Sequence, residues 1–324
     1  MRDGDRKASD VARSAWLYYA EELTQGQIAD KLGVSRSTVI RLLQRARQIG
    51  LVSISLNVSS DIFEIERDLE MHYGLKKVRI VPDAEDGDMQ RRWIGKVAAE
   101  TLQEMAREDS VIAVSWGQTL RSMADSLQGE ASTPGMQIVA LIGGLHNADK
   151  GTNPYEVAEL VGQFFGAPAR ALYAPVYVRN AETAAGLVSD PGLAEALDMA
   201  RRAALVVFGI GTLEDDATML RLGHVNATEK EFLRRHSAVA DIACRWIDSE
   251  GKPVALPHTI HPIGISLNDL KQIPERLMVA GGERKLDAIR ACLRGGYATH
   301  LITNEGIATA LLTEARSEKR SLVR

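Results

Sequence analysis

Apolar residues at helical spacing dominate the first fifty positions. Val11, Ala12, Ala15, Leu17 and Tyr18, with Trp16 and Tyr19 close by, predict a supporting helix. The segment LTQGQIADKLGVSRSTVIRLL, Leu23 to Leu43, predicts two more. Thr24 and Gln27 have the T-x-x-Q spacing of a capping box, so the first of the pair starts at Thr24. Ile28 and Leu32 fall on one face with small Ala29 beside them, and Gly33 ends the helix by accepting a positive φ. Val34 is expected as a buried plug in the turn, Ser35 as the next N-cap, and Val39, Leu42 and Leu43 as the inward face of the second helix. Its outward face is Arg36, Ser37, Thr38, Arg41 and Arg45, short hydroxyls and guanidiniums at the end of a recognition helix that meets base edges and phosphates. The pattern is a helix-turn-helix, with Thr24, Gln25, Ser35, Arg36, Ser37, Thr38, Arg41 and Arg45 as the expected DNA contacts. An ordinary helical hairpin with a charged face is the competing reading. Against it, every charge from Lys31 to Ser60 is positive in a chain of net charge −4, a localised electrostatic footprint. Gly50 and the alternating LVSISLNV then predict a stop and a wing strand, which closes a DNA-binding domain over residues 1–58.

The pattern changes over residues 59–324. Asp61 and Glu64 open a short helix with the stripe Ile62, Ile65, Leu69 and Tyr73, expected as core and, as a weaker alternative, as a dimer contact. From Lys77 onward, short runs such as VRIV, SVIAVS, QIVALIGG, ARALYAPV, ALVVFGIG, RLMVAGG and HLIT alternate with helical patterns at 92–106, 119–127, 155–165, 193–203 and 285–293 and a final helix. Strands rich in Val, Ile, Leu and Ala, separated by helices, predict a parallel sheet covered on both faces, a doubly wound α/β class. Ligands of such sheets bind at the carboxyl ends of the strands where strand order reverses. Four strand exits carry glycine or small polar residues: Ser115 with Gly117, Gln118 and Thr119; Gly143 and Gly144; Gly209 and Gly211; and Gly281 and Gly282 followed by Lys285. Such turns before helices offer backbone N–H groups to an anion or a polyhydroxylated ligand, and Lys285 adds a point charge unless it is only a solvated helix residue. FGIGTLED lacks the third glycine of a dinucleotide fingerprint, and no Walker A sequence occurs.

At 324 residues the chain is too long for one helix-turn-helix unit. Hydrophobic content of 45% with 25% charged residues is that of a globular protein. The N-terminal MRDGDRKASD lacks an apolar leader region and no apolar run approaches the ~20 residues that span a bilayer, so the expected location is the cytoplasm, with no membrane partner. Cys244 and Cys292 sit in apolar contexts and are expected as buried thiols. His258 and His261 lie in the proline-flanked PHTIHP, expected as a loop, and no metal site or cofactor is expected.

Taken in order, LTQGQIADKLGVSRSTVIRLLQRARQIGLV, VSWGQTL, LIGG, APVYV, VFGIGTL, AVADIACRWIDSEGKPV, ISLNDLKQIP, VAGGERKLDAIRACLRGG and LITNEGIATALL resemble the SorC family of sugar-responsive bacterial transcriptional regulators, often filed beside DeoR regulators. The resemblance covers nearly the whole chain. It implies a winged-helix or sigma-factor-like head on an effector domain similar to sugar-phosphate isomerases, assembly as homodimers and homotetramers, and operator affinity set by a sugar, polyol or sugar-phosphate effector. It also implies that Ser115, Gly117, Gln118 and Thr119 lie at the effector, that Asp241 accepts a hydroxyl and that Lys285 contacts an anion or hydroxyl. Two positions depart from the family pattern: Ala240-Asp241 where members usually read Gly-Asp, and Thr303-Asn304-Glu305 where they usually read Thr-Asp-Glu. The second puts any role for a carboxylate at 304 in doubt, and Asp241 has the alternative of being a helix or turn cap. The competing function is a sugar-phosphate isomerase-like enzyme carrying a DNA-binding head. Its acid–base candidates, Asp241, Glu305 and His146, have no recognisable catalytic spacing, so no catalytic residues and no enzymatic activity are expected.

Overall fold

The computed structural model describes residues 3–21, 23–49, 51–52, 60–146 and 152–322. The chain divides into two compact units, Met1–Val58 and Ser59–Arg324. The expected wing strand falls mostly on residues 53–59 and so lies outside the described residues.

In the first unit, helices Asp3–Tyr19, Gln25–Leu32 and Arg36–Gln48 close over Leu17, Ile28, Ala29, Val39 and Leu43. The capping box forms: the Gln27 N–H donates to Thr24 Oγ1 at 3.4 Å and the Thr24 N–H donates to Gln27 Oε1 at 2.9 Å. Gly33 ends the helix at φ +66°, and the Thr38 N–H donates to Ser35 Oγ at 3.1 Å. Two expectations fail. Val34 is exposed, because the left-handed turn at Gly33 carries its side chain outward while its N–H returns to the Ala29 carbonyl. Ala12 is exposed as well, since the inward stripe of the first helix runs through Val11, Ser14, Ala15 and Leu17.

The second unit is built on seven parallel strands, labelled here in chain order: β1 Lys77–Val81, β2 Val111–Val114, β3 Gln137–Gly144, β4 Ala169–Pro175, β5 Leu205–Phe208, β6 Glu275–Val279 and β7 His300–Asn304. In space they run β1-β7-β6-β5-β2-β3-β4. Successive residues alternate between two cores. Ala113, Val206, Met278 and Leu301 join one; Ile112, Val114, Val207, Val279 and Ile302 join the other, beneath helices Gly87–Met105, Gln118–Ser126 and Pro154–Phe165. Burial on both faces explains why the strands read as continuous apolar runs. Edge strand β1 is closed to further pairing, because Val78 and Ile80 donate their N–H groups to Glu70 and Glu66 of helix Ser60–Tyr73 at 2.8 and 2.9 Å. Among the described residues no helix is long and apolar enough to cross a membrane.

Helices Ala181–Ser189, Ala227–Arg235 and Leu267–Gln272 add to the predicted elements, as does a small antiparallel sheet of Gly211–Thr212, Ala240–Ile242 and Arg245–Ile247. The hairpin within that sheet turns on Ala243 and Cys244, both at positive φ, a conformation that Asn-Gly or Asp-Gly normally announces. Asp241 is a strand residue whose carboxylate also accepts from the Cys244 and Arg245 N–H groups, so it caps the turn of its own hairpin. Cys244 and Cys292 are buried free thiols.

Candidate effector site and DNA-binding surface

The chain reverses its direction of travel across the sheet between β5 and β2. From β2 it proceeds outward through β3 to β4; from β5 it proceeds the other way through β6 to β7. The exits of β2 and β5 therefore diverge at this switch point and leave a crevice. A cavity of about 780 Å³ lies there. Its lining includes Ser115, Gly117, Gln118 and Thr119 after β2, Gly209 and Gly211 after β5, and Gly282 and Lys285 after β6, with Asp241 entering from the small antiparallel sheet.

Gly117 adopts φ +113° at the start of helix Gln118–Ser126 and no side chain caps that helix, so its first N–H groups face the cavity as anion or hydroxyl donors. Gly282 plays the same part at φ +98° before the 3₁₀ turn Glu283–Lys285. Gly211 admits the carboxylate opposite it: a Cβ at this position would lie 3.1 Å from the Asp241 Cβ and Oδ2. Asp241 is only 4% exposed and its Oδ1 has no hydrogen-bond partner. Burial pushes its carboxyl up to about 7, against the lowering effect of the Cys244 and Arg245 N–H groups. Half-buried Lys285 is drawn down to about 8, first by desolvation and then by the nearby Arg91 guanidinium. An orphaned carboxylate oxygen, a cation and two open helix starts in one crevice are donors and acceptors for a hydroxylated, anionic or part-anionic small molecule.

Gly143 and Gly144 do not line this cavity. They sit at a bulge where β4 crosses close to β3, and a Cβ on Gly143 would come within 2.5 Å of the Ala174 carbonyl oxygen, so glycine serves backbone approach there. His146 and Glu305 are also outside it. His146 packs on His224 with ring centroids 4.1 Å apart; desolvation and His146 itself lower His224 to about 4. Glu305 opens the helix Glu305–Leu322. Of the three acid–base candidates, only Asp241 reaches the crevice.

Sequence patterns missed Glu85, Gly87 and Arg91, which reach the cavity from the β1 exit, and the 216–219 segment, whose Asp216 pairs with Arg284. Arg91 lay at the edge of a predicted helix that in fact begins at Gly87, and Asp216 follows a short bridge strand without periodicity.

On the first unit, Ser35 Oγ lies 2.8 Å from Ser37 Oγ and 2.9 Å from Thr38 Oγ1 at the start of helix Arg36–Gln48. Gln25 accepts from Arg36 Nε at 3.3 Å, and Thr38 Oγ1 accepts from Arg41 Nη2 at 3.4 Å. Thr24, Ser35, Arg36, Ser37, Arg41 and Arg45 are exposed, while Gln25 and Thr38 are half-buried beneath them. Ile40 and Gln44, which the pattern did not single out, are exposed on the same turns.

Residues 59–313 match the family model described as "Putative sugar-binding domain", and residues 16–49 match "Sigma-70, region 4". The chain is 32% identical over 314 residues to the deoxyribonucleoside regulator of Bacillus subtilis (strain 168), covering 96% of this chain and 99% of that protein. It is 34% identical over 310 residues to the transcriptional regulator LsrR of Enterobacter sp. (strain 638), covering 94% and 93% respectively. The fold is similar to that of the full-length sorbitol operon regulator SorC of Klebsiella pneumoniae, with a TM-score of 0.72 at 24% identity over 95% of this chain and 99% of that one.

Proposed function

This chain belongs to the SorC-type family of transcriptional regulators with a sugar-binding domain, and on that premise we propose that the 780 Å³ cavity at the switch point is its effector site. The effector is a sugar, polyol or sugar phosphate, and its binding changes operator affinity at the helix-turn-helix. The observation that carries this reading is the orphaned Oδ1 of buried Asp241, since a carboxylate oxygen held out of water without a donor is destabilising unless a ligand hydroxyl supplies one. Ser115, Gly117, Gln118, Thr119, Gly209, Gly211 and Gly282 frame the ligand, and Lys285 takes its anionic or hydroxyl end. A thermal-shift screen of sugars, polyols and their phosphates tests this: an effector at 100 times its Kd adds ~2.7 kcal/mol of stability. No shift with any of them would remove the basis of the proposal. The protein works in the cytoplasm, where operator DNA and small metabolites meet.

For the DNA end, Thr24, Gln25, Ser35, Arg36, Ser37, Thr38, Arg41 and Arg45 form the operator contact. Arg41→Ala is expected to weaken operator binding by ~1 to 3 kcal/mol while leaving effector affinity near the wild-type value. Gel shift and calorimetry check this, and a parallel loss of both affinities would contradict the separation of roles. Helix Ser60–Tyr73 buries Ile62 and Leu69 but leaves Phe63 64% and Met71 68% exposed, which supports self-association into dimers and tetramers through this helix. Phe63→Ser with Met71→Ser is expected to shift sedimentation velocity toward the monomer; an unchanged profile would place the contact elsewhere.

A further inference from the structure

We infer that Asn304 is a positioning residue of the effector site: it locks the glycine loop after β6 to the exits of β1 and β7 through two hydrogen bonds that only a carboxamide supplies together. This rests on the reading of the cavity given above. Asn304 ends β7 and is buried. Its Oδ1 accepts from the Gly282 N–H at 2.9 Å, and its Nδ2 donates to Asp83 Oδ1 at 2.6 Å. Asp83 Oδ1 also accepts from the Gly306 N–H at 3.1 Å, in the first turn of helix Glu305–Leu322. One amide and one carboxylate thus tie three strand exits together.

The fit around the amide is close. A Cβ on Gly281 would lie 2.5 Å from Asn304 Oδ1 and 2.4 Å from Ile94 Cδ1, so Gly281 is the residue that lets the loop rest on the carboxamide. Gly282 and Lys285 line the cavity just beyond, and the Lys285 N–H returns to the Gly282 carbonyl at 2.9 Å, which carries the placement of Gly282 on to Lys285. On the other side, the loop holding Asp83 continues to Glu85 and Arg91, also in the lining. The same clasp reaches the start of helix Glu305–Leu322, which packs on helix Ser60–Tyr73 and adds an Arg316 to Asp68 ion pair at 2.9 Å. That second helix is the first element of the unit in the chain.

The chemistry fixes the choice of amide over acid. A carboxylate at 304 still accepts from Gly282, but it then faces Asp83 as a second acceptor of the same charge, with no donor between them. At this position the loop presents a donor and Asp83 an acceptor, and asparagine serves both.

Asn304→Asp and, as its counterpart, Asp83→Asn test this in the full-length protein. Hydrogen exchange of the peptide containing Gly282, compared with wild type at the same pH, reads the loop directly. Asn304→Asp is expected to accelerate exchange at least tenfold at pH 8. Asp83→Asn keeps a side-chain oxygen that can accept from both Asn304 Nδ2 and the Gly306 N–H, and is expected to retain wild-type protection. Calorimetric titration with ribose 5-phosphate, glucose 6-phosphate and fructose 6-phosphate should follow the same order for whichever sugar phosphate binds wild type. Exchange in Asn304→Asp equal to wild type at pH 8 overturns the assignment, and so does a loss of loop protection in Asp83→Asn as large as that in Asn304→Asp. A wild type that binds none of the three compounds counts against the phosphorylated-carbohydrate version of the effector, while the exchange result still decides Asn304.

Discussion

Asp241→Asn is expected to make the protein more stable at pH 8 and much weaker in effector binding. The carboxyl is held up to about 7 in the folded chain, from an ordinary 3.8, by its burial. Below about pH 4 both folded and unfolded chains carry the proton and the group takes nothing from stability. As pH rises to about 7 the unfolded chain has lost the proton that the folded chain retains, so stability falls over that window and levels off above it. At 1.36 kcal/mol per pH unit the full penalty is roughly 4 kcal/mol. Asparagine has nearly the same shape and no charge to desolvate, so the gain in melting temperature should be absent at pH 4 and largest at pH 8. The same substitution removes a charge-assisted hydrogen bond to a ligand hydroxyl, worth ~1.5 to 3 kcal/mol, or about 10- to 150-fold in affinity. Thermal melts at the two pH values and calorimetric titration check both halves. A variant as stable as wild type at pH 8, with unchanged effector affinity, would show that Asp241 is no more than a tolerated buried acid. The expected outcome is a trade of stability for function, in which a destabilising group persists because the ligand completes it.

Lys285→Met is expected to separate anionic from neutral effectors. The ammonium is drawn down to about 8 by desolvation and Arg91, so it carries its charge at neutral pH and loses it as pH rises through about 8. For a sugar phosphate, Lys285→Met should cost ~1.5 to 3 kcal/mol of affinity, the value of a hydrogen bond to a charged group. For a neutral sugar or polyol the loss should be small. Together with Asp241, whose bond to a hydroxyl becomes charge-assisted only on ionisation, this predicts a bell-shaped affinity profile for an anionic effector, highest between about pH 7 and 8. A neutral effector should show only the acid limb. The stability signs differ for the two groups. Lys285 is charged in the unfolded chain up to about 10.5, so its contribution to stability rises with pH between about 8 and 10.5, opposite to the Asp241 effect at lower pH. Titrations of wild type and variant from pH 6 to 9 check the profile; equal loss for neutral and phosphorylated ligands would take the anion-binding role from Lys285.

The parts of this molecule that were legible in the sequence are those fixed by local rules. The Thr24–Gln27 box, Gly33 and Ser35 announce their helix ends because each acts within three or four residues. The parallel strands were legible because both of their faces are buried. The cavity was legible where glycines mark exits next to the switch point, after β2, β5 and β6, but strand order is a long-range property and a fourth glycine pair, Gly143-Gly144, ends a strand one place further out, where Gly143 serves packing. Asp241 was reached only through family resemblance, because its hairpin turns on Ala243 and Cys244 rather than on a recognisable turn pair. Arg91 and Asn304 enter the picture through contacts with residues about 190 and 20 positions away, and no periodicity reports those.

If ligand at the Asp241 cavity controls the helix-turn-helix, the DNA affinity of the full-length protein responds to it. Anisotropy titration of the full-length protein against a labelled DNA fragment that it has selected from a random pool, with and without the compound giving the largest thermal shift, tests it most directly. The compound is expected to change the DNA dissociation constant of the wild type by about 5- to 150-fold, the range of ~1 to 3 kcal/mol couplings, while Asp241→Asn binds the same DNA but loses the response. A wild-type DNA affinity indifferent to saturating compound, or an Asp241→Asn response equal to that of wild type, would contradict it.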